Sequence, residues 1–170
     1  MVEFRRERDI LTSGHTACAG CGAAINIRTV MRAIGRDSIV VNATGCSEIF
    51  TSCYPLSAWK VPYIHVTFEN AAAVATGISK ALEAKGNNHT TVMVWAGDGG
   101  TFDIGIQALS GAFERRTDFL YVCYNNQVYS NTGTQRSGAT PLHAKTTTTW
   151  YGKTEPEKML DLIVAMHEPA

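Results

Sequence analysis

Apolar residues along the chain fall into short continuous runs and helical stripes, separated by glycine-rich or amide-rich breaks. The run Thr91 to Trp95 is continuous and partly β-branched, as expected of a strand buried on both faces. It leads into Gly97-Asp98-Gly99-Gly100. Ile104, Ala108, Leu109 and Ala112 follow at helical spacing, and Glu114, Arg115 and Arg116 mark the end of that stripe. A second apolar run, Phe119 to Tyr124, breaks at Asn125-Asn126. This order predicts a strand–helix–strand unit with parallel strands and a right-handed crossover. Both polar breaks then lie at carboxyl ends of strands, where open α/β sheets bind ligands.

The flanking segments extend the pattern. Ala24, Ile27, Met31 and Ile34 predict a helix opening after Cys18-Ala19-Gly20-Cys21-Gly22. Ile39 to Asn42 reads as a short strand ending at Ala43-Thr44-Gly45-Cys46, which puts Cys46 on the sheet edge that carries Asp98. Val61 to Phe68 is a further strand, with His65 in a structural role. Glu69-Asn70 opens an alanine-rich helix through Ala84, capped by Gly86. Residues 1 to 13 read as a loosely held arm, and Ser52 to Lys60 as an irregular connection containing Tyr54-Pro55 and Trp59. Tyr129 to Gly133 forms a polar loop, and Gln135 to Thr149 continues it as an ordered active-site or interface loop. Pro156 to Met166 predicts a last helix, with Met159, Leu162, Ile163 and Met166 on one stripe. The fold class is therefore α/β, a mostly parallel sheet flanked by helices, in a single domain over residues 1–170.

Composition narrows the setting. A length of 170 residues suits one domain, and 45% hydrophobic residues with zero formal net charge describe an ordinary globular protein. No basic excess points to nucleic acid: Arg5, Arg6 and Arg8 are balanced by Glu3, Glu7 and Asp9. No apolar run approaches the roughly 20 residues that span a membrane. The first residues lack the apolar core of a secretory signal, so the five cysteines are expected in a reducing cytoplasm, serving metals or chemistry.

The strand–helix–strand unit carries the chemistry. Three glycines around Asp98 let ligand oxygens approach the backbone, and a following helix N-terminus favours an anion. Asp98 offers a carboxylate oxygen, Asn126 an amide oxygen and Val128 its carbonyl. That donor set suits Mg²⁺, which takes few protein oxygens and completes its shell with phosphate and water. Alone, Gly97-Asp98-Gly99-Gly100 reads more readily as a plain strand-to-helix turn; paired with Asn125-Asn126 across one unit it is more specific. Cys18 and Cys21 allow three readings: a redox pair, part of a zinc site, or part of an iron–sulfur site.

GDG followed by NN at this spacing resembles the thiamine-diphosphate motif. The longer text GDGGTFDIGIQALSGAFERR…NNQVYSNTGTQRSGATP resembles the beta subunit of pyruvate:ferredoxin oxidoreductase (pyruvate synthase) and its 2-oxoacid:ferredoxin oxidoreductase relatives, from about Gly14 onward. The resemblance implies a thiamine-diphosphate-binding fold with Gly97, Asp98, Gly99, Gly100, Asn126, Val128 and Asn131 at the cofactor. It implies Mg²⁺ on Asp98, Asn126 and the Val128 carbonyl, and Asn131 as the catalytic residue near the reacting carbon. HTACAGCG and ATGCSE resemble the family's proximal [4Fe-4S] site, implying Cys18, Cys21 and Cys46 as ligands. The family's fourth cysteine lies near the subunit's C-terminal end, beyond Ala170, so the chain is expected to lack that part. Cys53 and Cys123 read as structural, and the fourth ligand stays unassigned.

The implied activity is oxidative decarboxylation of pyruvate to acetyl-CoA and CO₂, or the reverse, with electrons passing to ferredoxin. The implied partners are an alpha-type pyrimidine-binding subunit, gamma and ferredoxin-like delta subunits, and ferredoxin. Coenzyme A and a 2-oxoacid are the substrates. A branched-chain 2-oxoacid, a non-oxidative thiamine-dependent decarboxylase and a zinc-stapled scaffold are the alternatives.

Overall fold

In the computed structural model, which describes residues 9–53, 56–165 and 167, the chain is built on one parallel sheet. Its strands are β1 (Ser38–Ala43), β2 (Tyr63–Val66), β3 (Thr91–Gly97) and β4 (Leu120–Tyr124), in the order β2-β1-β3-β4. Val41 pairs with Val94, Ala43 with Val66, and Gly97 with Tyr124, so the carboxyl ends line up along one edge.

Strand β3 explains the unbroken apolar run. Met93 and Trp95 point to one face and pack with Val40 and with Ile27 and Met31 of helix α1 (Gly22–Ile34). Val92, Val94 and Ala96 point to the other and pack with Val41 and with Ala71 and Ala75 of helix α3 (Ala71–Ala84). Phe50 of the short helix α2 (Cys46–Thr51) joins the first cluster. Removing a fully buried chain such as Ile27 costs about 2–5 kcal/mol. Helix α3 stops in a Schellman motif: Gly86 has φ 72, its N–H donates to Glu83 O, and the Asn87 N–H donates to Leu82 O.

Several expectations change. Residues 9–12 are not loosely held: Ile10 and Leu11 are buried, Leu11 bridges Trp59, and Asp9 pairs with Arg28 and Arg32. The sequence hid this because two apolar residues give no periodicity. Ile104 is not on the buried face but 54% exposed. The chain after Asp98 first makes a π-helical turn, Gly99–Asp103, before α4 (Ile106–Glu114). The extra residue in that turn rotates the stripe, and Phe102 takes the buried place with Leu109 and Ala112. Residues 128–136 are not all loop: β5 (Val128–Tyr129) and β6 (Gln135–Arg136) form an antiparallel ribbon.

The threonine run Thr146 to Thr149 secures this ribbon. Thr147 donates to Thr134 O and Gly133 O, and the Arg136 N–H donates to Thr148 Oγ1. The last helix, α5, spans only Leu160–Ala165. Tyr54, Pro55 and the stripe positions Leu162, Ile163 and Met166 lie outside the residues whose side chains are described. Among the described residues no helix is long and apolar enough to cross a membrane.

Candidate active site

Asp98 follows β3 directly and is 1% exposed. Its carboxylate lies beneath the sheet edge, where Ser137 donates its hydroxyl to Oδ2 and the Asn126 N–H donates to Oδ1 at 3.4 Å. Burial pushes this carboxyl above the ordinary range, against the lowering pull of Ser137 and backbone N–H groups. A cation at Oδ1 would reverse that balance.

Asn126 and Val128 leave β4 toward the same point. Between them Gln127 adopts a left-handed φ of 68°, with its N–H donating to Asn125 Oδ1. The inner end of the Asn126 amide consequently lies 2.8 Å from Asp98 Oδ1 and 2.7 Å from Val128 O, and its outer end 2.8 Å from Ser130 Oγ. With nitrogen inward the amide hydrogen-bonds both oxygens. With oxygen inward three acceptors face one another, an arrangement that a cation among them would make favourable.

The glycines are also packed from within the chain. A Cβ added at Gly99 would stand 2.6 Å from Tyr129 Cζ and closer still to Cε1; at Gly97 it would meet Tyr124 at 3.3 Å, and at Gly100 the Phe68 carbonyl at 3.1 Å. Their missing side chains admit aromatic rings and backbone as well as any ligand. Tyr124 also closes on Gly45, stacks on Trp95 at 5.8 Å, and has its phenol pushed up to about 12 by burial. Tyr129 donates to Asp103 Oδ2 at 2.7 Å, and Asp103 also accepts from the Gly138 N–H and from Lys158. Desolvation raises the Asp103 carboxyl, but these donors outweigh it and hold it low.

A cleft of about 340 Å³ opens above this floor, lined by Gly45, Cys46, Asp98, Asn126, Tyr129 and Asn131 among others. It brings Cys46 to the edge that carries Asp98: the Cys46 thiol donates to Asn131 Oδ1 at 3.3 Å. Cys18 and Cys21 flank the turn before α1, Cys18 exposed and Cys21 half-buried. Among the described residues no three His, Cys, Asp or Glu side chains converge as a metal-ligating group, so Cys18, Cys21 and Cys46 are not assembled as a set. Cys53 is exposed, and burial pushes the Cys123 thiol up. His65 contacts Thr44 Oγ1 at 2.8 Å and lies outside the cleft lining. Sequence reasoning missed Ser137, Thr140, Asp103 and Lys153, none of which stands in a local pattern that signals burial.

Residues 43–168 match the family model described as thiamine pyrophosphate enzyme, C-terminal TPP binding domain. The chain belongs to this family. The chain is 50% identical over 166 residues to pyruvate synthase subunit PorB of Methanothermobacter thermautotrophicus, covering 95% of this chain and 58% of that protein. It is 46% identical over 181 residues to PorB of Thermotoga maritima, covering 98% and 56%. It is 45% identical over 168 residues to ketoisovalerate oxidoreductase subunit VorB of Pyrococcus abyssi, covering 92% and 54%. The chain thus spans a little more than half the length of these relatives. Its fold is shared with 2-oxoglutarate:ferredoxin oxidoreductase from Magnetococcus marinus, at a TM-score of 0.77 and 24% identity over 91% of this chain and 52% of that one.

Proposed function

We propose that this TPP-binding domain anchors the diphosphate of thiamine diphosphate through Mg²⁺, within a 2-oxoacid:ferredoxin oxidoreductase acting on pyruvate. The observation that carries the reading is that the inner end of the Asn126 amide lies 2.8 Å from Asp98 Oδ1 and 2.7 Å from Val128 O, at the carboxyl edge of the sheet. Mg–O distances of about 2.0–2.1 Å put neighbouring oxygens of an octahedron about 2.9 Å apart, which matches that spacing. One carboxylate, one amide oxygen and one carbonyl leave room for diphosphate oxygens and water. When bound, thiamine diphosphate supplies the electron sink that decarboxylation of a 2-oxoacid needs.

The chain's own residues then have separable tasks. Asp98 brings the one full negative charge to the cation, and Ser137 fixes its second oxygen. Asn126 turns its amide oxygen inward and keeps Ser130 at the outer end. Tyr129, held by Asp103, covers Gly99 and keeps water from the turn beneath. Asn131, whose Oδ1 accepts the Cys46 thiol, retains its Nδ2 as a donor for a substrate oxygen. The aminopyrimidine end, coenzyme A, ferredoxin and the alpha-, gamma- and delta-type subunits belong to the proposal through the resemblance alone. The [4Fe-4S] cluster on Cys18, Cys21 and Cys46 does too. As these thiols are not assembled here, no electron-transfer step is routed through it.

Pyruvate is preferred because the relatives at 48–50% identity are named pyruvate synthase subunits. The 45% match to a ketoisovalerate oxidoreductase subunit keeps 2-oxoisovalerate as the second substrate. The anchoring is tested by calorimetric titration of thiamine diphosphate with Mg²⁺ into the assembled protein and its Asp98→Ala variant. The variant is expected to lose Mg²⁺-dependent binding. Equal affinity in the two proteins would overturn the assignment.

A further inference from the structure

Lys153 is 1% exposed, and burial pushes its amine down, with Glu155, Asp103 and Glu157 pulling the other way from a distance. Its ammonium donates to three carbonyls: Gly138 O at 2.8 Å, Thr140 O at 2.6 Å and Pro156 O at 3.2 Å. Three donors thus meet three acceptors, a match that a buried ammonium requires. Two of the carbonyls belong to the turn Ser137-Gly138-Ala139-Thr140.

That turn grips both sides of the three-oxygen site. Ser137 donates to Asp98 Oδ2. Thr140 Oγ1 donates to Gln127 O at 2.5 Å, and Gln127 is the left-handed residue between Asn126 and Val128. The Gly138 N–H donates to Asp103 Oδ2 at 2.9 Å, which ties the turn to Tyr129 as well. Internally, the Ser137 N–H donates to Thr140 Oγ1 and the Thr140 N–H to Ser137 O. Lys153 thus binds the turn that touches both ligand-bearing segments.

We propose that Lys153 is a positioning residue for the cation site: by pinning the 137–140 turn it holds Asp98 and the Asn126–Val128 segment at the spacing a divalent cation needs. This rests on the Mg²⁺ reading above, and it adds a residue outside the motif on which that reading stands. A lysine acting only as packing would lower the melting temperature and leave metal affinity alone. A positioning lysine changes the affinity itself.

The experiment titrates Mg²⁺, in the presence of saturating thiamine diphosphate, into the assembled wild-type protein and its Lys153→Met, Ser137→Ala and Asp98→Ala variants below their melting temperatures. Lys153→Met is expected to weaken Mg²⁺ about 10- to 100-fold. Turnover at saturating Mg²⁺ is expected to recover, because no group touching substrate is removed. Ser137→Ala is expected to fall between wild type and Lys153→Met. Unchanged affinity in Lys153→Met while Asp98→Ala loses binding would overturn the role of Lys153 alone. Unchanged affinity in Asp98→Ala as well would overturn the metal site itself. If the methionine variant does not fold, Lys153→Gln, with two donors on a shorter arm, decides: weaker Mg²⁺ binding supports the proposal and wild-type affinity overturns it.

Discussion

At the scale of single residues, the site depends on atoms that are missing as much as on those present. A Cβ at Gly99 would press into the Tyr129 ring, and the ring has no free path away because its hydroxyl is bonded to Asp103. Gly99→Ala is therefore expected to destabilise the protein by about 1–3 kcal/mol and to detach Tyr129 from Asp103. A thermal melt reads the first effect. A fall of the Tyr129 phenol from its raised pKa toward the ordinary value, followed by ultraviolet titration, reads the second. A variant with wild-type melting and an unmoved phenol would show that the turn yields where the ring does not. The asymmetry between Gln127 and its neighbours belongs to the same scale. A left-handed non-glycine residue is costly by itself, and here Thr140 and Asn125 hold it in place.

At the scale of elements, attachment of residues 9–12 offers a pH-dependent measurement. Asp9 is held below the ordinary carboxylate value of 3.8 chiefly by its hydrogen bond from Arg32, with Arg28 and Lys60 adding charge. A carboxylate with a lowered folded pKa stabilises the fold above its unfolded pKa, and that contribution disappears as pH falls through the folded one. Asp9→Asn is thus expected to lower stability at pH 7 by about 1 kcal/mol or less, since solvent screens the pair. The gap between the two proteins should close as the solution is acidified below about 3.8. A gap that persists into strong acid would separate the effect from ionisation.

The elements also show what the sequence could and could not reveal. β3, β4, α1 and α3 were legible, because Thr91 to Trp95, Phe119 to Tyr124, the stripe of Ile27 and Met31, and the alanine run each follow one period. That Asp98 and Asn126 would meet was legible from their places at strand ends. Ile104 misled, because a π-helical turn leaves no mark in a pattern read at 3.6 residues per turn. Ile10 and Leu11 were missed because a two-residue bridge has no period at all. Ser137 and Lys153 were illegible for a different reason. Their burial is created by residues far away in the chain, and a lysine in a loop is normally exposed.

At the scale of the whole molecule, β3 belongs to two clusters at once, one through Met93 and Trp95 and the other through Val92, Val94 and Ala96. The cleft above it has walls of another kind: two-residue strands and turns held by side-chain hydrogen bonds. Floor and walls must therefore differ in how often they open. Backbone amides of β3 are expected to exchange with solvent deuterium only on global unfolding, and those of Val128 to Thr140 through local opening, orders of magnitude faster. Mg²⁺ with thiamine diphosphate should slow exchange in the second group and leave the first untouched, a contrast that mass spectrometry of deuterated peptides would measure. An occupant of the cleft would then act as a clasp, binding a segment that breathes to a strand that does not.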